Sequence, residues 1–216
     1  MTTIAIIVAA GRGTRAGGDV PKQWQMLCGK RVLDWTIEAF QSHSKIDDIC
    51  VVLHPDDVDL LNTPSVITCL GGENRNDSVK NGLRAISAKS PDLVLIHDAA
   101  RATVEASVID GVLNALKTHD AAAPALAVTD ALWHGSEGLV TGVQDRSTLF
   151  RAQTPQGFKF NKILEANEKN TETASDDVEI ARRFGLDVAI TLGSEDNLKI
   201  TTPQDFARAD RILRNR

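Results

Sequence analysis

A glycine-rich loop that carries three cations follows the first apolar run of the chain. Gly11 and Gly13 lie among Arg12, Arg15 and Lys22. Glycine permits backbone conformations in which N–H groups turn inward, and such groups bind anions. Arginine and lysine side chains neutralise phosphate oxygens. The loop is therefore predicted to wrap a triphosphate, and the alternative is a tight turn with incidental basic residues.

The same loop formally matches the dinucleotide-binding fingerprint G-x-G-x-x-A from Gly11 to Ala16. That fingerprint needs a helix that begins within it and an acidic residue about 20 residues further on. Pro21 opposes a clean helix start, and the nearest suitable acid, Asp56, lies more than 40 residues after Gly13. A nicotinamide- or flavin-dependent oxidoreductase is therefore not expected.

The elements that must position this loop alternate between strands and helices. Thr3 to Ala9 is an almost unbroken apolar run, typical of a strand covered on both faces, whereas Leu33, Ile37 and Phe40 form a helical stripe. This alternation predicts an α/β, Rossmann-like fold with a mainly parallel sheet and helices on both faces. Further strands are predicted at 48–53, 66–70, 93–96, 188–192 and 198–201, and further helices around 79–86, 108–115, 161–167, 176–184 and after Thr202.

The stretch from 121 to 150 interrupts the alternation. Two extended runs, 125–133 and 139–143, flank a turn-like segment from His134 to Gly138. They predict a β-arm, approximately 125–148, that projects from the domain. No repeat or linker is visible, so we expect a single domain over 1–216 and no second catalytic domain after it.

Composition narrows the class of protein. The 216 residues carry a net charge of −5, which disfavours a nucleic-acid partner. No apolar run approaches the roughly 20 residues that span a bilayer, and the N-terminus lacks the basic region of a signal peptide. Cys28, Cys50 and Cys69 have no metal-type spacing and are typical of reduced thiols. We therefore expect a cytoplasmic protein without a membrane partner.

Seven sequence blocks follow one another in order along nearly the whole chain. They are A-A-G-R-G-T-R at 9–15, P-K-Q at 21–23, G-G-E-N-R-N-D-S-V at 71–79, H-D-A-A-R at 97–101, T-P-Q-G-F at 154–158, S-D-D at 175–177 and D-N-L-K-I-T at 196–201. Together these blocks resemble the signature of one family of nucleotidylyltransferases, the 2-C-methyl-D-erythritol 4-phosphate cytidylyltransferases of non-mevalonate isoprenoid biosynthesis. The resemblance implies an enzyme that transfers CMP from CTP to a polyol phosphate and releases pyrophosphate.

The resemblance assigns catalysis to Arg15, Lys22 and Lys199. A phosphate monoester has a second pKa near 6, so the acceptor is already largely a dianion and needs no general base. Positioning and fixed cations should then supply most of the acceleration. Lys199 would also help to place the acceptor.

Other residues are implied to position the acceptor. Arg146, after the arm, would reach the acceptor phosphate of the neighbouring subunit, which implies a homodimer joined through the β-arm. Asp98 could hold acceptor hydroxyls or lie near a Mg²⁺ ion, although Mg²⁺ is expected to bind mainly through the CTP phosphates. The implied positioning set is Arg146, Lys199, Asp98, Arg101, Thr154 and Ser175.

Base recognition is expected to use backbone groups of Ala9, Ala10, Gly72 and Glu73. Ser78 either adds a hydroxyl or bonds its own helix backbone, an alternative nearly as well supported. His97 has no second ligand at metal spacing and is interpreted as structural. The nucleotide-binding set is Ala9, Ala10, Gly11, Gly13, Arg15, Lys22, Gly72, Glu73 and Ser78.

The match departs from the family at the arm. Ala131 and Trp133 stand where the family usually has threonine and lysine, and Ala102 stands where it has proline. These changes concern recognition of the acceptor. The alternative that the protein is a cytidylyltransferase for another polyol phosphate, such as ribitol 5-phosphate, therefore stays open. More distant alternatives are a sugar-1-phosphate nucleotidylyltransferase and a catalytically silent nucleotide-binding protein.

Overall fold

A mixed, mainly parallel sheet of eight strands forms the centre of the protein. The computed structural model describes residues 1–13 and 20–216. The strands of the sheet are β1 (Thr3–Ala9), β4 (Asp48–Leu53), β5 (Ile67–Leu70), β6 (Leu93–Asp98), β7 (Ala121–Ala127), β10 (Phe150–Ala152), β11 (Gln156–Lys159) and β12 (Val188–Leu192). Their order across the sheet is β10-β7-β11-β6-β1-β4-β5, with β12 also paired to β7.

Two small antiparallel pairs complete the strands of the described residues. They are β2 (Met26–Leu27) with β3 (Lys30–Arg31), and β8 (Leu132–Ser136) with β9 (Leu139–Gln144). The helices are α1 (Val32–Gln41), α2 (Arg75–Ile86), α3 (Ala106–Ala115), α4 (Phe160–Lys169), α5 (Asp177–Arg183) and α6 (Pro203–Arg214). The predicted α/β, Rossmann-like class is confirmed. Within the described residues, none of these helices is both long enough and apolar enough to cross a membrane.

The sheet has a hydrophobic core on each face. Because side chains alternate along a strand, Ala5 and Ile7 of β1 pack with α1 and α3, whereas Ile4 and Ile6 pack with α2, α4 and α5. Burial of each large aliphatic side chain contributes about 1.5–3 kcal/mol. This two-sided packing explains why β1 is an unbroken apolar run. It also holds the central strands in position, together with the residues at their ends.

The segment predicted as a strand at 198–201 has no strand pairing, and that prediction is wrong. Leu198 and Ile200 pack into a third apolar cluster beside α6, and the Ile200 amide donates to the Ala100 carbonyl at 2.8 Å. The next residues cap α6, because Thr202 and Asp205 form the reciprocal capping box that the sequence suggests. The segment is thus an anchored loop rather than a sheet strand.

The interrupted region is also divided differently from the prediction. Residues 125–127 belong to β7 in the central sheet, whereas β8 and β9 form a separate hairpin around the predicted turn. Trp133, Leu139 and Val143 on this hairpin are 66%, 72% and 73% exposed. The hairpin therefore presents apolar side chains to solvent.

Candidate active site

A cavity of about 540 Å³ opens at the carboxyl ends of β1 and β6. From β1 the chain continues to β4 and β5 on one side of the sheet, and β6 then pairs with β1 from the other side. Such a reversal of strand order is where ligands bind in open α/β sheets. Ala9, Ala10, Gly72, Asp98 and Lys199 all contribute to the cavity wall.

Asp98 is the electrostatic centre of this cavity. Its Oδ2 atom lies 2.8 Å from Nζ of Lys199, and its Oδ1 atom accepts from Nε of Arg75 at 3.3 Å. The Nε atom of Arg101 lies 4.0 Å from Oδ2. Burial by itself raises the pKa of Asp98, but the three cations overcome it and hold the pKa well below its ordinary value. The carboxylate is therefore ionised and organises the cations around it.

Arg75 extends the charged network to a second buried acid. Its Nη2 atom donates to Oδ2 of Asp177 at 2.8 Å, and the Asp177 side chain is fully buried. Burial raises the pKa of Asp177, and Arg75 opposes that rise. Acidic and basic side chains thus alternate from Asp177 through Arg75 and Asp98 to Lys199, whose side chain remains 41% exposed at the cavity.

Arg101 is buried beside this network. Its Nη1 atom donates to the Asn197 carbonyl at 2.7 Å, and its Nη2 atom donates to the Ala152 carbonyl at 3.4 Å. The first bond joins the turn after β6 to the segment that carries Lys199, and the second joins that turn to β10. Arg101 therefore supports the arrangement of Asp98 and Lys199.

Lys22 joins the glycine-rich loop to the same segment. Its Nζ atom donates to the Ile200 carbonyl at 2.9 Å. Gly13 has φ of +61°, and a Cβ atom there would lie only 3.1 Å from Cγ of Lys22. The left-handed conformation and the close approach of the lysine stem both explain the glycine. Lys22 and Lys199 consequently meet at the cavity from opposite ends of the chain.

Of the residues assigned to the base, Ala9 and Ala10 lie at the end of β1, and Gly72, Glu73 and Ser78 follow β5. The Gly72 amide donates to Oγ of Ser78 at 3.1 Å, and that hydroxyl donates to the Asn74 carbonyl at 2.9 Å. The Ser78 hydroxyl therefore links this loop to the first turn of α2. A Cβ on Gly71 would lie 2.4 Å from Cβ of Ala10, so the two loops touch only because Gly71 is glycine.

Within the described residues, four assigned residues lie outside the cavity wall: Arg101, Thr154, Ser175 and Arg146. Arg15 lies outside the described residues. Ser175 donates its hydroxyl to Oε2 of Glu179 at 2.8 Å. Arg146 is exposed after the hairpin, and its guanidinium contacts the Thr129 carbonyl.

The donor set does not fit a resident metal at Asp98. Both oxygens of its carboxylate already pair with cations, Arg75 and Lys199. Across residues 1–13 and 20–216, no three histidine, cysteine or acidic side chains cluster as a metal site.

Sequence reasoning missed several residues of the network. The resemblance implies no role for Arg75 in the 71–79 block or for Asp177 in the 175–177 block. It likewise implies none for Asn197, whose Nδ2 atom donates to the Thr154 carbonyl at 2.8 Å. The sequence signal that could have identified these residues is the presence of charged and amide side chains inside blocks that resemble the family.

The fold and this cavity define an enzyme of the nucleotidyltransferase class. The family model of 2-C-methyl-D-erythritol 4-phosphate cytidylyltransferase matches residues 3–215. The chain belongs to that family.

Relatives and solved structures agree with this assignment. The 2-C-methyl-D-erythritol 4-phosphate cytidylyltransferase of Roseobacter denitrificans is 56% identical over 98% of this chain and 97% of its own length. The bifunctional enzyme IspD/IspF of Ruegeria pomeroyi is 55% identical, but the match spans 99% of this chain and only 57% of that relative. The crystal structure of the Francisella tularensis cytidylyltransferase has a TM-score of 0.84 at 29% identity and covers 99% of this chain and 100% of that one.

Proposed function

We propose that the protein transfers CMP from CTP to 2-C-methyl-D-erythritol 4-phosphate. The products are 4-diphosphocytidyl-2-C-methyl-D-erythritol, an intermediate of isoprenoid precursor biosynthesis, and pyrophosphate. The observation that carries this proposal is the meeting of Lys22, Lys199 and Asp98 at a cavity on the strand-order reversal. Family membership supplies the identity of the two substrates.

The proposed chemistry is a displacement at the α-phosphorus of CTP. An oxygen of the acceptor phosphate forms the new P–O bond, and the bond to the β-phosphate bridging oxygen breaks. Because the attacking group is already anionic, the enzyme's task is to offset charge rather than to remove a proton. Lys22 and Lys199 would stabilise the charge that builds on the α-phosphate, and Arg15 is proposed to act with them.

The two ends of the cavity would hold different substrates. Backbone groups of Ala9, Ala10, Gly72 and Glu73 would line a slot for the cytosine, and the Gly11 to Gly13 turn would receive the phosphates. The acceptor would lie toward Asp98, with Arg101 and Thr154 behind it. Ser78 would serve the slot by holding its loop, because its hydroxyl already bonds to Gly72 and Asn74.

Magnesium is proposed to enter as part of the substrate. Mg²⁺ keeps several waters and commonly binds through nucleotide phosphates with few protein ligands. This agrees with the cation-paired state of Asp98. The ion would neutralise part of the negative charge of the triphosphate, while the protein's own cations hold the phosphate oxygens in position.

The assembled enzyme is proposed to be a homodimer of single-domain chains. The exposed apolar side chains of Trp133, Leu139 and Val143 on the β8–β9 hairpin need cover of the kind a second copy provides. Arg146 follows this hairpin and would reach the acceptor phosphate in the partner's site. A cytoplasmic location is also proposed, because the three cysteines are free thiols.

Pyrophosphate release from purified protein with CTP and Mg²⁺ tests the proposal. We expect turnover with 2-C-methyl-D-erythritol 4-phosphate and at least tenfold lower turnover with ribitol 5-phosphate, since a site built to bind substrate hydroxyls rejects a mismatched polyol. Turnover with ribitol 5-phosphate alone would show that this polyol phosphate is the acceptor. Ala131 and Trp133 would then be the residues that explain the changed acceptor specificity. Folded protein that binds CTP but turns over neither acceptor would contradict the proposed activity.

A further inference from the structure

His97 is fully buried at the end of β6, directly before Asp98. Its Nδ1 atom lies 2.9 Å from Oγ1 of Thr154, and its Nε2 atom lies 3.2 Å from the Arg101 carbonyl oxygen. The ring also packs against Phe40 of α1, with ring centroids 4.8 Å apart. Both ring nitrogens of this histidine are therefore engaged inside the protein.

The partners determine where the protons lie. The Arg101 carbonyl can only accept, so Nε2 carries the ring proton and donates it. Nδ1 must then accept from the Thr154 hydroxyl, since burial lowers the pKa of His97 to about 3 and leaves the ring neutral. The oxygen of that hydroxyl in turn accepts from the Asp98 amide at 3.2 Å. Each donor in this chain meets one acceptor.

This chain of hydrogen bonds closes around the turn that carries two charged residues. The Arg101 amide donates to the Asp98 carbonyl at 3.0 Å across the turn. His97 holds the Arg101 end of the turn directly, and it holds the Asp98 end through Thr154. The Thr154 hydroxyl proton is consequently committed to His97, so Thr154 acts on the site through Asp98.

We propose that His97 is a positioning residue for acceptor recognition, which sets the place of Asp98 and Arg101 relative to the polyol phosphate. This inference rests on the proposed function. His97 touches neither the glycine-rich loop nor the Gly71–Gly72 loop through any hydrogen bond within the described residues. Its loss should therefore affect acceptor binding and leave CTP binding unchanged.

Two substitutions separate the two hydrogen bonds. In His97→Asn the side-chain oxygen can replace Nδ1 and accept from Thr154, but the bond to Arg101 is lost. In His97→Gln the side-chain amide can replace Nε2 and donate to Arg101, but the acceptor for Thr154 is lost. Each variant should raise KM for 2-C-methyl-D-erythritol 4-phosphate roughly tenfold, in line with loss of one buried hydrogen bond. KM for CTP should stay within about twofold of wild type.

Thr154 provides the independent check. Thr154→Ser keeps the hydroxyl and should raise the acceptor KM less than Thr154→Val, which removes the hydroxyl at nearly constant shape. The double variant His97→Gln/Thr154→Val should be no worse than Thr154→Val alone, because His97→Gln acts through Thr154. If the His97 variants do not fold, the contrast between Thr154→Ser and Thr154→Val decides the question.

The outcomes are distinct from a failure of the proposed function. Wild-type protein that does not turn over the acceptor contradicts the function itself. An active wild type whose variants keep the acceptor KM, or whose KM values for CTP and acceptor rise in parallel, overturns the positioning role of His97. Equal kinetics for Thr154→Ser and Thr154→Val would overturn it as well.

Discussion

The ammonium group of Lys199 lies 2.8 Å from Oδ2 of Asp98, and Arg75 occupies the other carboxylate oxygen at 3.3 Å. Asp98 is mostly buried and ionised, whereas Lys199 is partly exposed at the cavity. The acid therefore holds the lysine where a phosphate would meet it. An anionic substrate would compete with Asp98 for the ammonium group of Lys199. Arg75 and Arg101 would continue to neutralise the Asp98 carboxylate.

Loss of the Lys199 charge should abolish most of the turnover. Lys199→Gln removes a cation that is proposed to act on the reacting phosphates, so kcat should fall by about 10²–10³-fold. Lys199→Arg should retain more activity, since the charge remains. Lys162→Gln is the matched control, because Lys162 forms an exposed ion pair with Asp120 on the surface of the described protein. Pyrophosphate release gives the measurement, and wild-type kcat in Lys199→Gln would contradict the assignment.

Arg146 should act across the proposed dimer, and subunit mixing can detect this. Arg146→Ala and Lys199→Gln chains are each expected to be nearly inactive. In a heterodimer, the Arg146→Ala chain keeps Lys199 and receives Arg146 from its partner, so one site is complete. Equal mixing and subunit exchange should then restore about a quarter of wild-type specific activity.

A second mixture provides the control for this complementation. Lys22→Gln and Lys199→Gln change residues that meet within one chain, where Lys22 donates to the Ile200 carbonyl at 2.9 Å. No heterodimer of these two variants contains a complete site, so activity should not recover. Absence of recovery in the Arg146 mixture as well would place Arg146 in its own subunit's site or outside the chemistry.

Gly71 should be intolerant of any side chain. A Cβ atom there would lie 2.4 Å from Cβ of Ala10 and 3.0 Å from Oγ of Ser78. Gly71→Ala must separate the two loops of the proposed base slot, so we expect weaker CTP binding by calorimetry and about 1–3 kcal/mol less unfolding free energy. Gly111→Ala is the control, since its nearest atom lies at 3.8 Å. Wild-type CTP affinity in Gly71→Ala would show that the slot lies elsewhere.

Periodicity predicted the central strands and most helices, because each buries a regular apolar face. It failed where position depends on distant partners. Gln156–Lys159 enters the sheet antiparallel between β6 and β7, although nothing in its short sequence indicates a direction. The 198–201 segment has a strand-like apolar alternation, but its apolar residues fill a cluster beside α6 instead of joining the sheet.

In the candidate site, too, local sequence blocks could be predicted, whereas contacts between distant residues could not. Resemblance of short blocks identified Asp98 and Lys199, and the structure places their charged groups in contact. The ion pair between Arg75 and Asp177 joins residues 102 positions apart, and no local pattern encodes it. Likewise, His97 was interpreted as structural from its lack of ligands. Its hydrogen bond with Thr154 exists only because β6 and the Thr154 segment lie side by side in the fold.

His97 should make the stability of the protein depend on pH in a defined window. Burial lowers its folded-state pKa to about 3, against an ordinary value of about 6.5, while Asp98 raises the pKa and Arg101 and Arg75 lower it. Between these two values the unfolded chain binds a proton that the folded chain does not. Folding stability therefore falls as the pH is lowered from about 6.5 toward 3.

Comparison with His97→Gln isolates this contribution from that of the other titrating groups. The wild type should lose about 1 kcal/mol more unfolding free energy than the variant between pH 6.5 and 5.5, because one proton uptake is linked to unfolding only in the wild type. Urea titrations at pH 7.5, 6.5 and 5.5 measure the difference, given reversible two-state unfolding. Above pH 7 the gap between the two proteins should be constant. Parallel curves down to pH 5.5 would mean that His97 is accessible to protons in the folded protein, against its complete burial between Phe40 and Thr154.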